Sequence, residues 1–194
     1  MNSKYFCQIS LDTPNYDLEK AWTNDSNSQK DYQHSSCQRK WLKLDSHGLL
    51  WSKDISNKFE SVHIKPYAMR LFRWSTNQLF PWHSDYGSTD SAYCVTNWVV
   101  EGGGLIEHNE NIRLHDHPEG QPFKMKNSSV DDEVLSSISG HRSLIDVSIP
   151  HRVNTMNCSQ PRITLSIVWK TLGNGELQFD DLRDRFNQIG LLDH

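Results

Sequence analysis

Pro81-Trp82-His83-Ser84-Asp85-Tyr86-Gly87 sets a histidine and an aspartate two residues apart in a stretch that opens on large apolar side chains. In extended chain successive side chains alternate faces, so His83 and Asp85 point the same way and can grip one cation from one side. A second histidine has to come from elsewhere. His151 is placed for it, after the strand-like run Leu144-Ile145-Asp146-Val147-Ser148-Ile149. Two imidazoles and one carboxylate on one face, with the opposite positions open, suit ferrous iron in non-heme oxygenases. On its own a His-x-Asp tripeptide is common and reads as a solvated surface pair. Its company changes that reading: beyond His151, Arg162-Ile163-Thr164-Leu165-Ser166-Ile167-Val168-Trp169 alternates Arg162, Thr164 and Ser166 onto one face and Ile163, Leu165, Ile167 and Trp169 onto the other.

From near Tyr67 to Trp169 the chain resembles the iron(II)- and 2-oxoglutarate-dependent dioxygenases, in their prolyl-hydroxylase and aspartyl/asparaginyl-hydroxylase-like branches. The family pattern is His-x-Asp/Glu, a distal His, and then Arg or Lys followed by x-Ser/Thr. His83, Asp85, His151, Arg162 and Thr164 stand in that order here, and Pro150-His151-Arg152-Val153 looks like the distal-histidine strand of the prolyl-hydroxylase-like branch. The resemblance implies that His83, Asp85 and His151 are the metal ligands and catalytic residues, that the metal is Fe(II), and that Arg162 and Thr164 hold 2-oxoglutarate as cosubstrate. It further implies that molecular oxygen is the oxidant. An amino acid, a peptide side chain or a small metabolite would be hydroxylated while 2-oxoglutarate becomes succinate and carbon dioxide.

Three protein ligands leave room on an octahedral ion for a two-oxygen chelator and dioxygen, so the face has to stay open. The chelator's far carboxylate calls for a planar, permanently charged partner, and an arginine offers a bidentate fork. Arg162 is the candidate, with Thr164 or Ser166 adding a hydroxyl. The carboxylate beside the metal needs its own donor, and Asn97, Arg70 and Arg73 are all open for it. The two arginines are three apart in extended chain, so at most one turns inward. Tyr67 and Trp98 read equally as pocket lining and as core.

The chain's 194 residues are enough for a single domain with its own core. A net charge of −4 and a pI near 6.2 give no broad basic field, so attraction to nucleic acid is not expected. No apolar run is long enough to cross a membrane and no secretory leader is visible, and Cys7, Cys37, Cys94 and Cys158 are unpaired in spacing. Together these predict a cytoplasmic protein with free thiols, a monomer or homodimer, whose partners are a small-molecule or peptide substrate and oxygen rather than nucleic acid or membrane.

Residues 1–62 read as a polar N-terminal support of helices and loops: a short helix starting at Thr13-Pro14, a loop over 24–36 and a weak helix over 54–62. Residues 63–172 carry short β-rich runs separated by turn signals, which predicts two antiparallel sheets, a double-stranded β-helix or jelly roll. Gly102-Gly103-Gly104 suggests a hairpin turn between two strands, as does Asn154-Thr155-Met156-Asn157. Residues 109–132 read as a long loop or hairpin over the pocket mouth. Over 173–194, Phe179, Leu182, Phe186 and Ile189 recur at helical spacing, an amphipathic C-terminal helix that packs on a sheet or on a second copy.

Two other readings stand beside the dioxygenase. One is a cupin-like metal-dependent dioxygenase or isomerase that uses the same three ligands without a keto acid, leaving Arg162 a structural duty. The other is a non-catalytic jelly-roll binding module. His115-Asp116-His117, with His108 nearby, is a competing metal cluster, but Pro118-Glu119-Gly120 after it favours a solvated loop.

Overall fold

The structure, a computed structural model, describes residues 3–15, 32–34, 37–43, 50–85, 93–116, 124–139 and 141–193. Its strands are β1 (Phe6–Gln8), β2 (Tyr32–His34), β3 (Cys37–Lys43), β4 (Ile64–Trp74), β5 (Trp82–His83), β6 (Cys94–Glu101), β7 (Leu105–His108), β8 (His115–Asp116), β9 (Lys124–Lys126), β10 (Ser136–Ile138), β11 (Arg142–Asp146), β12 (His151–Asn154) and β13 (Arg162–Thr171). Among the described residues two helices join them, α1 (Lys53–Ser61) and α2 (Phe179–Gln188). The strands form a seven-stranded sheet in the order β1-β11-β6-β13-β4-β3-β2 and a six-stranded sheet in the order β10-β7-β12-β5-β9-β8. Their pairings are antiparallel throughout, the jelly roll expected from the short β-rich runs.

The chain steps from sheet to sheet between β4 and β5, β5 and β6, β6 and β7, β10 and β11, β11 and β12, and β12 and β13. That corrects three expectations. The glycine turn is not a hairpin: β6 pairs with β11 and β13, while β7 pairs with β10 and β12. The turn after Asn154 likewise carries the chain from β12 across to β13. The strand-like run expected over 144–149 also stops short, at Asp146. Residues 147–150 cross between sheets, and His151 opens a strand of its own. Local sequence marks where a turn falls, but the partner of the next strand is set by which face has to be covered.

Between the sheets lie Ala68, Val95, Ile145 and Val168 from one side and Ile106, Ile138 and Val153 from the other. The outer face of the seven-stranded sheet carries Met69, Leu71, Leu165, Ile167 and Trp169, covered by Phe59 of α1 and by Phe179, Leu182 and Phe186 of α2. Trp169 is the hub, with Phe59 edge-on at 4.8 Å and Phe186 edge-on at 5.2 Å. The C-terminal helix therefore packs on a sheet of its own chain. Helix α1 starts at Ser52, whose hydroxyl accepts from the Ile55 amide. The rest of the N-terminal region is more β than expected, with β1 extending the seven-stranded sheet at one edge and β3 and β2 at the other. The helix expected from Thr13, and most of the 24–36 loop, fall outside the described residues.

Of the loop or hairpin expected over 109–132, the structure has antiparallel β8 and β9, which extend the six-stranded sheet beside β5. Its end folds back on that sheet's outer face. There the Asp132 carboxylate accepts from Trp82 Nε1 at 2.8 Å, Lys126 Nζ at 2.7 Å and the Ser129 amide at 2.7 Å. Arg152 lies over the Trp82 ring at 4.5 Å and pairs with buried Glu107 at 2.6 Å. Burial alone would raise the Asp132 carboxyl, but its hydrogen bonds from Lys126, Ser129 and Trp82 bring it down to about 2.

A carboxyl held below its ordinary value contributes stability that is complete above about pH 4 and is lost as pH falls through about 2. Asp132→Asn should destabilise the fold by about 2 kcal/mol. It should also flatten the pH dependence of urea unfolding in that window, whereas an unchanged acid limb would show that Asp132 is not an anchor of this face.

Candidate metal centre

His83 comes from β5 and His151 from β12, strands that pair with these two residues in register. Their rings lie with centroids 4.4 Å apart. Asp85 does not sit on the strand with His83, as the alternation of an extended chain predicted. β5 ends at His83, and Asp85 follows in a bend, tied down by its amide to the Val147 carbonyl at 2.8 Å. One nitrogen or oxygen from each of His83, Asp85 and His151 lies within 4.8 Å of the others.

Two details of this cluster fit a cation. His83 Nδ1 lies 2.9 Å from the Pro81 carbonyl and His151 Nδ1 lies 3.0 Å from the Ile149 carbonyl. A carbonyl can only accept, so each Nδ1 carries a proton, and in the neutral ring the lone pair is then on Nε2. Burial pushes the His151 imidazole down to about 4, with His83 beside it adding to the effect against Asp85. The ring is therefore neutral across the ordinary pH range. Burial would raise the Asp85 carboxyl, yet the Arg70 guanidinium, with His151 and His83, holds it below its usual value. Neutral imidazoles and an ionised carboxylate are the donor forms that a divalent ion requires.

Arg162 has no exposed surface. Its Nη1 donates to the carbonyls of Gly104 at 2.9 Å, Ser139 at 3.0 Å and Gly103 at 3.3 Å, and its Nε donates to Thr164 Oγ1 at 3.2 Å. The fork expected for a carboxylate is thus occupied on most of its donors. Nη2 is buried without a partner among the described residues. The glycine turn makes this arrangement possible: a Cβ on Gly102 would lie 2.2 Å from the Pro161 carbonyl oxygen, and one on Gly104 would lie 2.5 Å from that of Asn154.

Thr164 and Ser166 are buried on the same side of β13 as Arg162. In register, Ser166 stands between Arg70 on β4 and Asn97 on β6, and Asn97 faces Ser143 on β11. A polar row therefore crosses the sheet among otherwise apolar neighbours, with the Asn97 Oδ1 and Ser143 Oγ atoms buried and without partners among the described residues. Of the two arginines left open, Arg70 is buried and pairs with Asp85, while Arg73 is exposed. Trp98 belongs to the core beneath the helices, with its ring nitrogen on the Leu11 carbonyl. Tyr67 is exposed and lies under Lys170.

The competing cluster does not assemble among the described residues. His115 and Asp116 are exposed on β8, and His117 lies outside the described residues. His108 is elsewhere altogether, fully buried between the sheets, in register with His151 and stacked on Tyr5 at 5.7 Å. Burial and the neighbouring His151 push its imidazole down to about 3. Grouping His108 with the 115–117 cluster missed its place in the His83–His151 row. The alternation of Leu105-Ile106-Glu107-His108, which sends Ile106 and His108 to one face, carried that signal.

No family model matches the chain, and no curated protein matches it. Among solved structures, it is similar to a variant of Bacillus subtilis oxalate decarboxylase at 9% identity and a TM-score of 0.40, over 77% of this chain and 29% of that one. It is likewise similar to a 2OG-Fe(II) oxygenase family oxidoreductase from Burkholderia pseudomallei at 12% identity and a TM-score of 0.40, over 76% and 74% of the two chains. A DMSP lyase structure matches at 12% identity and a TM-score of 0.39, over 75% of this chain and 57% of the other. The chain thus spans under a third of the length of the decarboxylase. At such identity and overlap, none of these likenesses says what this chain binds or does.

Proposed function

We propose that this protein is an Fe(II)- and 2-oxoglutarate-dependent dioxygenase that hydroxylates an amino acid, a peptide side chain or a small metabolite. One observation carries the reading: His83, Asp85 and His151 converge to within 4.8 Å, with each imidazole Nδ1 turned to a backbone carbonyl so that Nε2 is the atom left to face the others. The buried Nη2 of Arg162, without a partner among the described residues, supports the keto-acid part of it.

In this reading His83 Nε2, His151 Nε2 and an Asp85 oxygen hold the ion, and the carbonyls of Pro81 and Ile149 fix the two rings. When bound, ferrous iron with 2-oxoglutarate supplies the oxidising power, as the keto acid goes to succinate and carbon dioxide. Arg162 Nη2 donates to the far carboxylate of the keto acid. Thr164 Oγ1, already accepting from Arg162 Nε, can turn its own hydrogen to the same carboxylate. Ser166 and Asn97 line the way from that end toward Asp85, and their burial excludes water from it.

A second reading has its own support. Arg162 Nη1 ties three backbone carbonyls together, which is what an arginine with only a structural duty would do. The protein would then be a metal-dependent enzyme that uses no keto acid.

Anaerobic 2-oxoglutarate added to Fe(II)-loaded protein should give a visible charge-transfer band, and oxygen should then yield succinate. His83→Ala and Asp85→Ala should each abolish both signals, and undiminished succinate formation in either variant would remove that residue from the centre. Arg162→Lys keeps a charge for the carbonyls but loses Nη2. It should raise the 2-oxoglutarate Kd by about tenfold or more, the equivalent of about 1.4 kcal/mol, with metal affinity retained. An unchanged Kd, or no band in the parent protein, would favour the second reading.

A further inference from the structure

Arg70 is buried, with 3% of its surface exposed, on β4 of the seven-stranded sheet, whereas Asp85 follows β5 of the six-stranded one. Its Nη1 donates to Asp85 Oδ2 at 2.8 Å, the length of a charge-assisted bond. Asp85 Oδ1, the other oxygen, faces His83 Nε2 at 4.0 Å. The two oxygens of one carboxylate therefore have different duties, one turned to the opposite sheet and one to the imidazoles.

Resting on the metal-centre reading above, we propose that Arg70 is a positioning residue that makes Asp85 a one-oxygen ligand and so sets how many positions on the ion stay open. For Asp85 to chelate through both oxygens, Oδ2 would have to leave a buried guanidinium, and separating a buried pair costs several kcal/mol. With Oδ2 held, two imidazoles and one oxygen fill half of an octahedral shell. Three positions then remain for ligands from solution; a chelating Asp85 would leave two. The bond also joins the two sheets across the site, so the carboxylate that follows β5 is placed by β4 before any ion arrives.

The test uses the whole protein loaded with Mn(II), with bound waters counted by water-proton relaxation. The parent protein should carry three exchangeable waters. Arg70→Met should carry two, as Oδ2 turns to the ion, with the Mn(II) Kd unchanged within tenfold or tighter. Arg70→Lys, which keeps a donor for Oδ2, should return the count to three. Two waters on the parent protein, or three on Arg70→Met, would overturn the proposal. Because the parent count needs no variant, a count of two overturns the proposal even if circular dichroism shows Arg70→Met unfolded. A different failure is visible in the same titration: Mn(II) that does not bind, or binds equally well to His83→Ala, would remove the metal centre itself and the positioning role with it.

Discussion

A guanidinium with no exposed surface constrains this sandwich more than any other group. Taking Arg162 out of water costs several kcal/mol, and only a dense set of acceptors offsets it. Those acceptors are carbonyls at the β6–β7 turn and at the end of β10, so the turn must fold tightly over the start of β13. Gly102 and Gly104 are what allow it, with positive φ and no Cβ to strike the backbone of Pro161 and Asn154. One buried charge thus links the glycine turn, the end of β10 and the first residue of β13.

The candidate ligand set is built on the same principle of buried polar groups held by backbone. Each histidine leans on the carbonyl two residues before it, which settles its tautomer without help from another side chain. Pairing β5 with β12 in register then brings the two rings together, and the chain crossing after β11 supplies the carbonyl of Val147 that fixes Asp85. Low exposure keeps the His151 ring neutral, while Arg70 keeps Asp85 charged. The electrostatic state of the cluster follows from its place between the sheets.

The two outer faces are secured differently. The seven-stranded sheet is covered by aromatic packing of Phe59, Trp169 and Phe186, a hydrophobic contact that needs no angular precision. The six-stranded sheet, which bears both histidines, is covered by the Asp132, Arg152, Glu107 and Trp82 network. Directional bonds on the far side of the ligand strands hold them in register, and a set of ligands needs that precision more than a core does.

By itself the sequence determined the β-rich class, the strand runs that became β4, β6, β7, β11 and β13, and both helices described, and it singled out His83, Asp85, His151 and Arg162 as candidates. Those follow from side-chain alternation, helical spacing and the chemistry of residue types, all local properties. The polar face of β13 was readable in the same way, because Arg162, Thr164 and Ser166 alternate with apolar neighbours. Only the tertiary structure decided that the glycine turn crosses between sheets, that His108 lies beside His151 rather than with His115, and that Arg70 and not Arg73 turns inward to Asp85. It also decided that most donors of Arg162 go to carbonyls. The physical reason is the same in each case: which strand pairs with which, and which buried polar group finds which partner, depend on residues far apart in the chain, and no local pattern encodes a contact between two sheets.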